Sequence, residues 1–413
     1  MTTQVKKNLF SEVPAEYQIF SNKETLSPHF IPPKLPYRES EIKRVVDLMS
    51  SALKKEKPVN VFIYGKTGVG KTIVARFVSS ELLEMCTEKK VPLYTSYINN
   101  RTYNSKYAVM VKLLKDLWET NKDYFEKKGL RIHESGIPPT LLYEMLVSFI
   151  NDSGAGVVIM LDEIDAVRDL DNLLYTLTRT NDEVKAGYVV VIGITNNLFF
   201  KKHLDPRSKS TLCEEELVFP PYNAKHLTKI LNDRVKIGFK EGKVEDSAVH
   251  LIAAMASKDG GDARYALRLL RKAGEMAESS GSPAVREKEV NEAKASVEED
   301  IVIESLGTLP EQQQVVLLAL TNLIENAQKG LTGERRTQFT SGEVYDEYKK
   351  SCKLIKEQPR SMRWVREYLN DLEMLGFVSM QFSGKGSRGQ TRLVELGEDP
   401  IKIRQFIMKS LKI

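Results

Sequence analysis

Apolar residues recur along the chain with two periods, and the places where the period changes divide it. Between residues 39 and 54, Ile42, Val45, Val46, Met49 and Leu53 follow helical spacing, which predicts an amphipathic helix. Strand-like runs at 61–64, 92–98, 157–161, 188–194 and 215–219 then alternate with helical stretches that start near Lys71 and cover 105–118 and 140–150. The runs at 157–161 and 188–194 are apolar almost throughout, which predicts strands covered on both faces, as in parallel sheets. Residues 1–224 are therefore expected to form an α/β domain on a mainly parallel sheet. From 225 to 299 only helical spacing remains, and an all-helical domain is expected there.

Residues 300–413 show a different order. Thr308-Leu309-Pro310-Glu311 reads as the capping-box start of an apolar helix through Leu323, and Thr340-Ser341-Gly342-Glu343 starts a second helix in the same way. A third helix is expected over 359–375, ending at Gly376, with strands at 377–382 and 390–395 joined by the glycine-rich loop 383–389. That is the order of a winged helix domain. Arg360, Arg363 and Arg366 are expected on one face of the third helix, opposite Val365, Leu369 and Leu372, while Lys385, Arg388 and Arg392 belong to the hairpin. Between Lys349 and Arg366 seven cations face the single acid Glu357. In this fold the third helix enters a major groove and the hairpin touches phosphates or a minor groove. A solvated basic face, or a winged module used for protein contacts, would carry the same charge.

The chemistry lies at the strand ends. Gly65-Lys66-Thr67-Gly68-Val69-Gly70-Lys71-Thr72 fills every fixed position of G-x-x-x-x-G-K-[ST], in the strand, turn, helix order that a phosphate-binding loop requires. Its glycines let backbone N–H groups approach an anion closely, and the helix behind adds its positive end. Lys71 is placed to reach β- and γ-phosphates, and the Thr72 hydroxyl to enter the shell of a bridging Mg²⁺. At the end of 157–161, Asp162 is expected to hold Mg²⁺ directly or through water, and Glu163 to orient the water that attacks the γ-phosphate. Asn196 follows the next strand; an amide there can bond the water and the γ-phosphate, although asparagine is also a common turn residue. Asp262 predicts a helix cap that puts Arg264 in the first turn and Arg268 one turn later, facing either phosphates or solvent.

A length of 413 residues implies two or three domains, and 41% hydrophobic with 28% charged residues is ordinary for folded proteins. The net charge of +5 permits a nucleic-acid partner without demanding one. Cys86, Cys213 and Cys352 are far apart and lack C-x-x-C spacing, so neither a disulfide framework nor a zinc site is expected, and a reducing setting fits. Residues 1–10 hold no apolar core before a cleavage site, and no run approaches the roughly 18 apolar residues of a membrane span. A cytoplasmic protein without a membrane partner is the simplest reading.

In this order the motifs resemble the AAA+ ATPases, and more narrowly the archaeal initiators related to the eukaryotic origin recognition complex and its cell-division-cycle cofactor. The resemblance covers nearly the whole chain. Gly65 to Thr72 look like Walker A, Asp162-Glu163 like Walker B, Asn196 like sensor 1 and Arg264 like sensor 2. The most family-specific mark is Gly261-Asp262-Ala263-Arg264, supported by Leu35-Pro36-Tyr37-Arg38 and Phe219-Pro220-Pro221-Tyr222. The resemblance implies that Leu35, Tyr37, Arg38 and Tyr222 line the adenine side of the pocket, that Arg207 is the arginine finger for a neighbour's ATP, and that a DNA-touching insertion near 99–111 offers Arg101 and Lys106. It further implies an ATP-dependent replication initiator that binds double-stranded origin DNA, helps recruit or load the replicative helicase, and shares the DNA with paralogous initiators. Weak ATP hydrolysis to ADP, with Mg²⁺, would serve as its switch, and it would sit at the nucleoid. The alternative is a AAA+ signalling ATPase whose winged module serves transcription control or protein interaction.

Overall fold

The computed structural model describes residues 18–28, 30–129, 136–197, 200, 204–206, 208–209, 215–327, 336–382 and 392–411. The chain divides into two compact units, Met1–Ala293 and Lys294–Ile413.

In the first unit the order is α1 (Glu39–Met49), β1 (Val61–Tyr64), α2 (Lys71–Glu88), β2 (Leu93–Asn99), α3 (Lys106–Thr120), α4 (Lys122–Lys127), α5 (Pro139–Ser153), β3 (Gly156–Asp162), α6 (Leu170–Glu183), β4 (Tyr188–Thr195) and β5 (Glu215–Val218). The strands form one sheet in the order β2-β3-β4-β1-β5, and every pair in it is parallel. Side chains alternate across it. Phe62, Val157, Ile159, Leu161, Val189 and Val191 pack on one face with α3, α5 and α6, while Val61, Ile63, Val158, Met160, Val190 and Ile192 pack on the other with α1 and α2. Both faces are dry, which is why β3 and β4 carry almost no polar residue. The same alternation sets the cost of damage: truncating a buried Ile such as Ile159 to Ala removes about 2–5 kcal/mol.

The register decides what meets at the sheet's carboxyl edge. Asn99 pairs with Asp162, Asp162 with Ile194, and Thr195 with Tyr64, so the residues that follow β1, β2, β3 and β4 emerge side by side. This is where parallel sheets bind ligands.

Four helices follow: α7 (Ala224–Gly238), α8 (Asp246–Lys258), α9 (Ala263–Ser280) and α10 (Glu287–Thr308), the last running through the division between units. Asp262 caps α9 as expected, accepting from the N–H groups of Arg264 (2.6 Å) and Tyr265 (3.1 Å). The amino-terminal segment is fastened to these helices: Phe20 packs on Phe239, with ring centroids 4.9 Å apart, and the buried Arg234 donates to Thr25 O and Phe30 O.

The second unit contains α11 (Glu311–Asn326), β6 (Gln338–Thr340), α12 (Ser341–Leu354), α13 (Met362–Met374), β7 (Val378–Phe382), β8 (Arg392–Leu396) and α14 (Pro400–Leu411), with an antiparallel sheet β6-β8-β7. Val316, Leu320, Tyr348, Leu369, Val394 and Ile403 share its core. Thr340 and Glu343 form the expected capping box. Thr308 does not cap α11: it closes α10, its hydroxyl donates to Ser305 O (2.8 Å), and Pro310 precedes α11 instead. The third helix is shorter than expected. Arg360 lies before it, where its N–H donates to the Tyr348 hydroxyl (3.0 Å), and Ser361 is the helix cap. The strand β6 was not expected; three residues are too few for a periodic signal.

Candidate functional site

Most of the polar residues singled out in the first unit converge at the carboxyl edge of its sheet. Lys71, buried in the first turn of α2, spends its ammonium on three acceptors: Gly65 O (2.7 Å), Lys66 O (2.7 Å) and Asn196 Oδ1 (2.6 Å). The Thr72 hydroxyl donates to Asp162 Oδ2 at 2.8 Å. The backbone N–H of Glu163 donates to Asp162 Oδ1 at 3.0 Å. Glu163 itself has left-handed backbone (φ 51°), uncommon for a non-glycine residue, and this turns its carboxylate off the line of β3. There it pairs with the guanidinium of Arg101. A hydroxyl and a carboxylate beside a phosphate cradle are the hard oxygen donors that suit Mg²⁺, which takes one or two protein ligands and shares the rest of its shell with phosphates.

The helical part reaches into this site. Ala263 N–H donates to Gly68 O at 3.1 Å. Gly68 (φ 72°) is pressed so closely on the cap residue that a Cβ there would stand 1.7 Å from Asp262 Oδ1. Arg264, exposed, follows in the first turn of α9. Burial first, and the nearby positive charge of Arg264 second, bring the Lys71 pKa down to about 8 against the pull of Asp162, Glu163 and Asp262. Arg264 thus acts on the same ammonium that is placed to meet a phosphate.

On the other flank, Arg38 is a buried clamp. Its guanidinium donates to Val69 O (2.9 Å) and Pro220 O (2.6 Å), pairs with Glu41 (2.8 Å), and lies 4.0 Å from the Tyr222 ring centroid. With every arm engaged, it braces the loop Gly65–Thr72 against the Pro220-Pro221-Tyr222 turn. Tyr37 stacks on His226 of α7 with centroids 4.1 Å apart, and Leu35 packs on the core under α1. The Tyr222 hydroxyl sits where a Cβ on Gly70 would be 2.9 Å away. Lys66 and Thr67 are exposed at the tip of the loop.

Three side chains at this edge were not singled out for a role here. Tyr97 donates to Asp162 Oδ2 (2.9 Å), the buried Asn100 donates through Nδ2 to Asp162 O (2.9 Å), and Arg101, expected in an insertion facing DNA, holds Glu163. The signal available was the position of Asn99-Asn100-Arg101 after a strand of a parallel sheet. The backbone N–H of Lys106 donates to Asp169 Oδ1 (2.9 Å).

In the second unit, Arg363 and Arg366 are exposed on α13, and Arg360 is exposed before it. Val365, Leu369 and Leu372 are buried beneath, as the spacing predicts. Arg392 opens β8 and donates to Asn370 Oδ1 of α13 (2.6 Å), which ties the hairpin to that helix. Lys385 and Arg388, with the rest of the loop 383–389, lie outside the described residues, and so does Arg207.

A parallel sheet with β1 between β4 and β5, a phosphate loop after β1, and a helical lid reaching the loop define an ATPase domain of the AAA class. Residues 34–192 match the model of the AAA ATPase domain, 228–295 the Cdc6 AAA+ ATPase-type lid domain, and 304–405 the CDC6 C-terminal winged helix domain. The chain belongs to the ORC1-type, Cdc6-related DNA replication proteins. It is 37% identical over 398 residues to the ORC1-type DNA replication protein of Pyrococcus abyssi, covering 96% of this chain and 91% of that one. It is 40% identical over 381 residues to ORC1-type DNA replication protein 1 of Sulfurisphaera tokodaii, covering 92% and 90%. The solved structure of the Aeropyrum pernix ORC1 protein in complex with DNA matches with a TM-score of 0.81 and 35% identity, over 95% of this chain and 98% of that one.

Proposed function

We propose that this chain is a replication initiator that binds ATP with Mg²⁺ in its first unit and double-stranded origin DNA through its winged unit, and that it helps recruit or load the replicative helicase. The observation that carries the ATP reading is the Lys71 ammonium, held by Gly65 O, Lys66 O and Asn196 Oδ1 next to the Thr72–Asp162 pair. A buried ammonium so held is poised to exchange neutral acceptors for phosphate oxygens. The kinship with ORC1-type replication proteins, one of which is solved in complex with DNA, supports the DNA reading.

The residues divide the work as follows. The loop Gly65–Thr72 cradles the phosphates, Lys71 meets the β- and γ-phosphates, and Thr72 with Asp162 holds Mg²⁺. That ion, when bound, neutralises charge that builds on the phosphate oxygens. Glu163 orients the attacking water, while Asn196 spans water and γ-phosphate. Arg264, carried by α9, senses the phosphates from the lid, so ATP and ADP favour different lid positions. Leu35, Tyr37 and Tyr222 flank the base, with Arg38 fixing the wall behind them. The Arg101–Glu163 pair contributes a modest brake on turnover, and a slow ATPase suits a switch.

In the winged unit Arg363 and Arg366 enter a major groove, and Arg360, Lys385, Arg388 and Arg392 grip the backbone beside it. Filter binding of labelled ATP and gel shifts on origin and unrelated duplexes test both halves. Lys71→Ala is expected to abolish ATP binding, and the wild-type protein to favour origin DNA in its ATP form. Sequence-blind DNA binding would overturn the origin claim.

A further inference from the structure

The geometry points to Tyr97 as a positioning residue for Asp162, a phenol that fixes the aim of the carboxylate assigned to Mg²⁺. Tyr97 sits on β2, two residues before its end, and β2 runs beside β3 in a register that pairs Asn99 with Asp162. Its hydroxyl donates to Asp162 Oδ2 at 2.9 Å, the same oxygen that accepts from Thr72 at 2.8 Å. The other oxygen, Oδ1, accepts from the N–H of Glu163 at 3.0 Å. Asp162 is thus held by three donors from three elements: the start of α2, β2, and the turn after β3. Such outer partners orient a metal's carboxylate and are worth about 10–100-fold in metal affinity.

The phenol is itself well placed for the task. Its ring packs against the core face shared with α1 and α2, and the Arg76 guanidinium of α2 lies 5.1 Å from its centroid. A phenol keeps its proton at ordinary pH, so it serves as an O–H donor to the carboxylate. Thr72 has its own role at the cation. A hydroxyl that meets a cation through its oxygen keeps its proton, so Tyr97 adds a second side-chain donor on Oδ2, from a different element, and restrains Asp162 from swinging.

The inference rests on the reading of Asp162 as the Mg²⁺ carboxylate, and the experiment separates the two. Binding of a fluorescent ATP analogue to the full chain is followed while Mn²⁺ or Mg²⁺ is titrated, and again in EDTA. For Tyr97→Phe the cation midpoint is expected to rise about tenfold, with nucleotide affinity in EDTA unchanged and only a modest fall in the melting temperature of the free protein from the lost bond to Asp162. Tyr97→His, which keeps a ring and an N–H donor, is expected to fall between wild type and Tyr97→Phe, and it serves as the comparison if the Phe variant does not fold. An unmoved midpoint in the folded variants overturns the role of Tyr97, as does an equal loss of affinity in EDTA, which marks a purely structural residue. If the wild-type protein binds the nucleotide no better with Mn²⁺ or Mg²⁺ than in EDTA, it is the reading of Asp162 that fails.

Discussion

The guanidinium of Arg101, in the loop after β2, forms an ion pair with the carboxylate of Glu163, the residue proposed to orient the attacking water. The pair neutralises that carboxylate and holds it to one side. Because the Arg101 side chain is 64% exposed, solvent screens the contact, and pairs of this kind are worth about 0–1 kcal/mol. It is weak enough to open during turnover, and while closed it is expected to slow hydrolysis. Arg101→Ala is therefore expected to raise steady-state ATP turnover by up to about fivefold, the rate equivalent of roughly 1 kcal/mol. Glu163→Gln should bind ATP and not cleave it, and the double variant should be as inactive as Glu163→Gln alone. A slower Arg101→Ala enzyme would place Arg101 among the groups that assist hydrolysis.

Lys71 makes nucleotide binding depend on pH. Its pKa of about 8 in the folded protein lies below the ordinary 10.5, chiefly because burial penalises the charged amine. Between those values the unfolded chain binds more protons than the folded one, so the stability of the nucleotide-free protein rises with pH across that window. Phosphates reverse the balance by favouring the ammonium. ATP binding near pH 8.5 should then take up part of a proton, read by calorimetry in buffers of different ionisation enthalpy. Affinity should fall as pH climbs above 8, by at most about tenfold per pH unit. A flat profile from pH 7 to 9.5 would mean that the amine keeps its charge throughout.

What the sequence made legible here is chemistry held in one contiguous stretch. Gly65 to Thr72 announce a phosphate-loop pattern because the loop, the lysine and the hydroxyl lie within eight residues, and Asp162-Glu163 mark the sheet's carboxyl edge because a dry strand ends in two acids. The cap at Asp262 was equally local. Tyr97 and Arg101 were not legible in that way, since their partners depend on the register between β2 and β3, which no local pattern encodes. Arg38 was visible as part of a motif while its work was not: burial turned an expected pocket residue into a brace for the loop's carbonyls. Thr308 misled for a related reason. Its four-residue pattern matched a capping box, but α10 continued through it and Pro310 set the start of α11.

The contact between Gly68 and Asp262 joins the phosphate loop to the lid and tolerates no side chain. Gly68→Ala places a Cβ against Asp262 Oδ1 and puts alanine at a φ of 72°. Strained backbone of this kind costs about 1–3 kcal/mol. The Asp262 carboxylate, displaced, would also lose its bonds to the Arg264 and Tyr265 N–H groups. Thermal unfolding of the nucleotide-free variant is expected to shift downward, and ATP is expected to rescue it less than it rescues wild type because Arg264 is carried off with the cap. Asp262→Ala should weaken the cap by about 1 kcal/mol without the backbone strain. Equal melting temperatures for Gly68→Ala and wild type would show that the lid moves aside freely.

Arg363 is the sharpest test of the winged unit. Its side chain is 88% exposed in the first turn of α13, and it forms a long ion pair, 3.7 Å to Glu367. Nothing in the fold requires the guanidinium, so Arg363→Ala should leave the melting temperature alone. If α13 enters a major groove, the loss depends on what Arg363 touches there. A base contact should cost about 1–3 kcal/mol on origin DNA and little on unrelated duplex. A phosphate contact should weaken both alike and lower the slope of log affinity against log salt by about one. Binding isotherms on both DNAs at several salt concentrations separate these outcomes. Unchanged affinity on both would remove Arg363 from the DNA interface and turn attention to Arg366, farther along α13, and to Arg392 of β8.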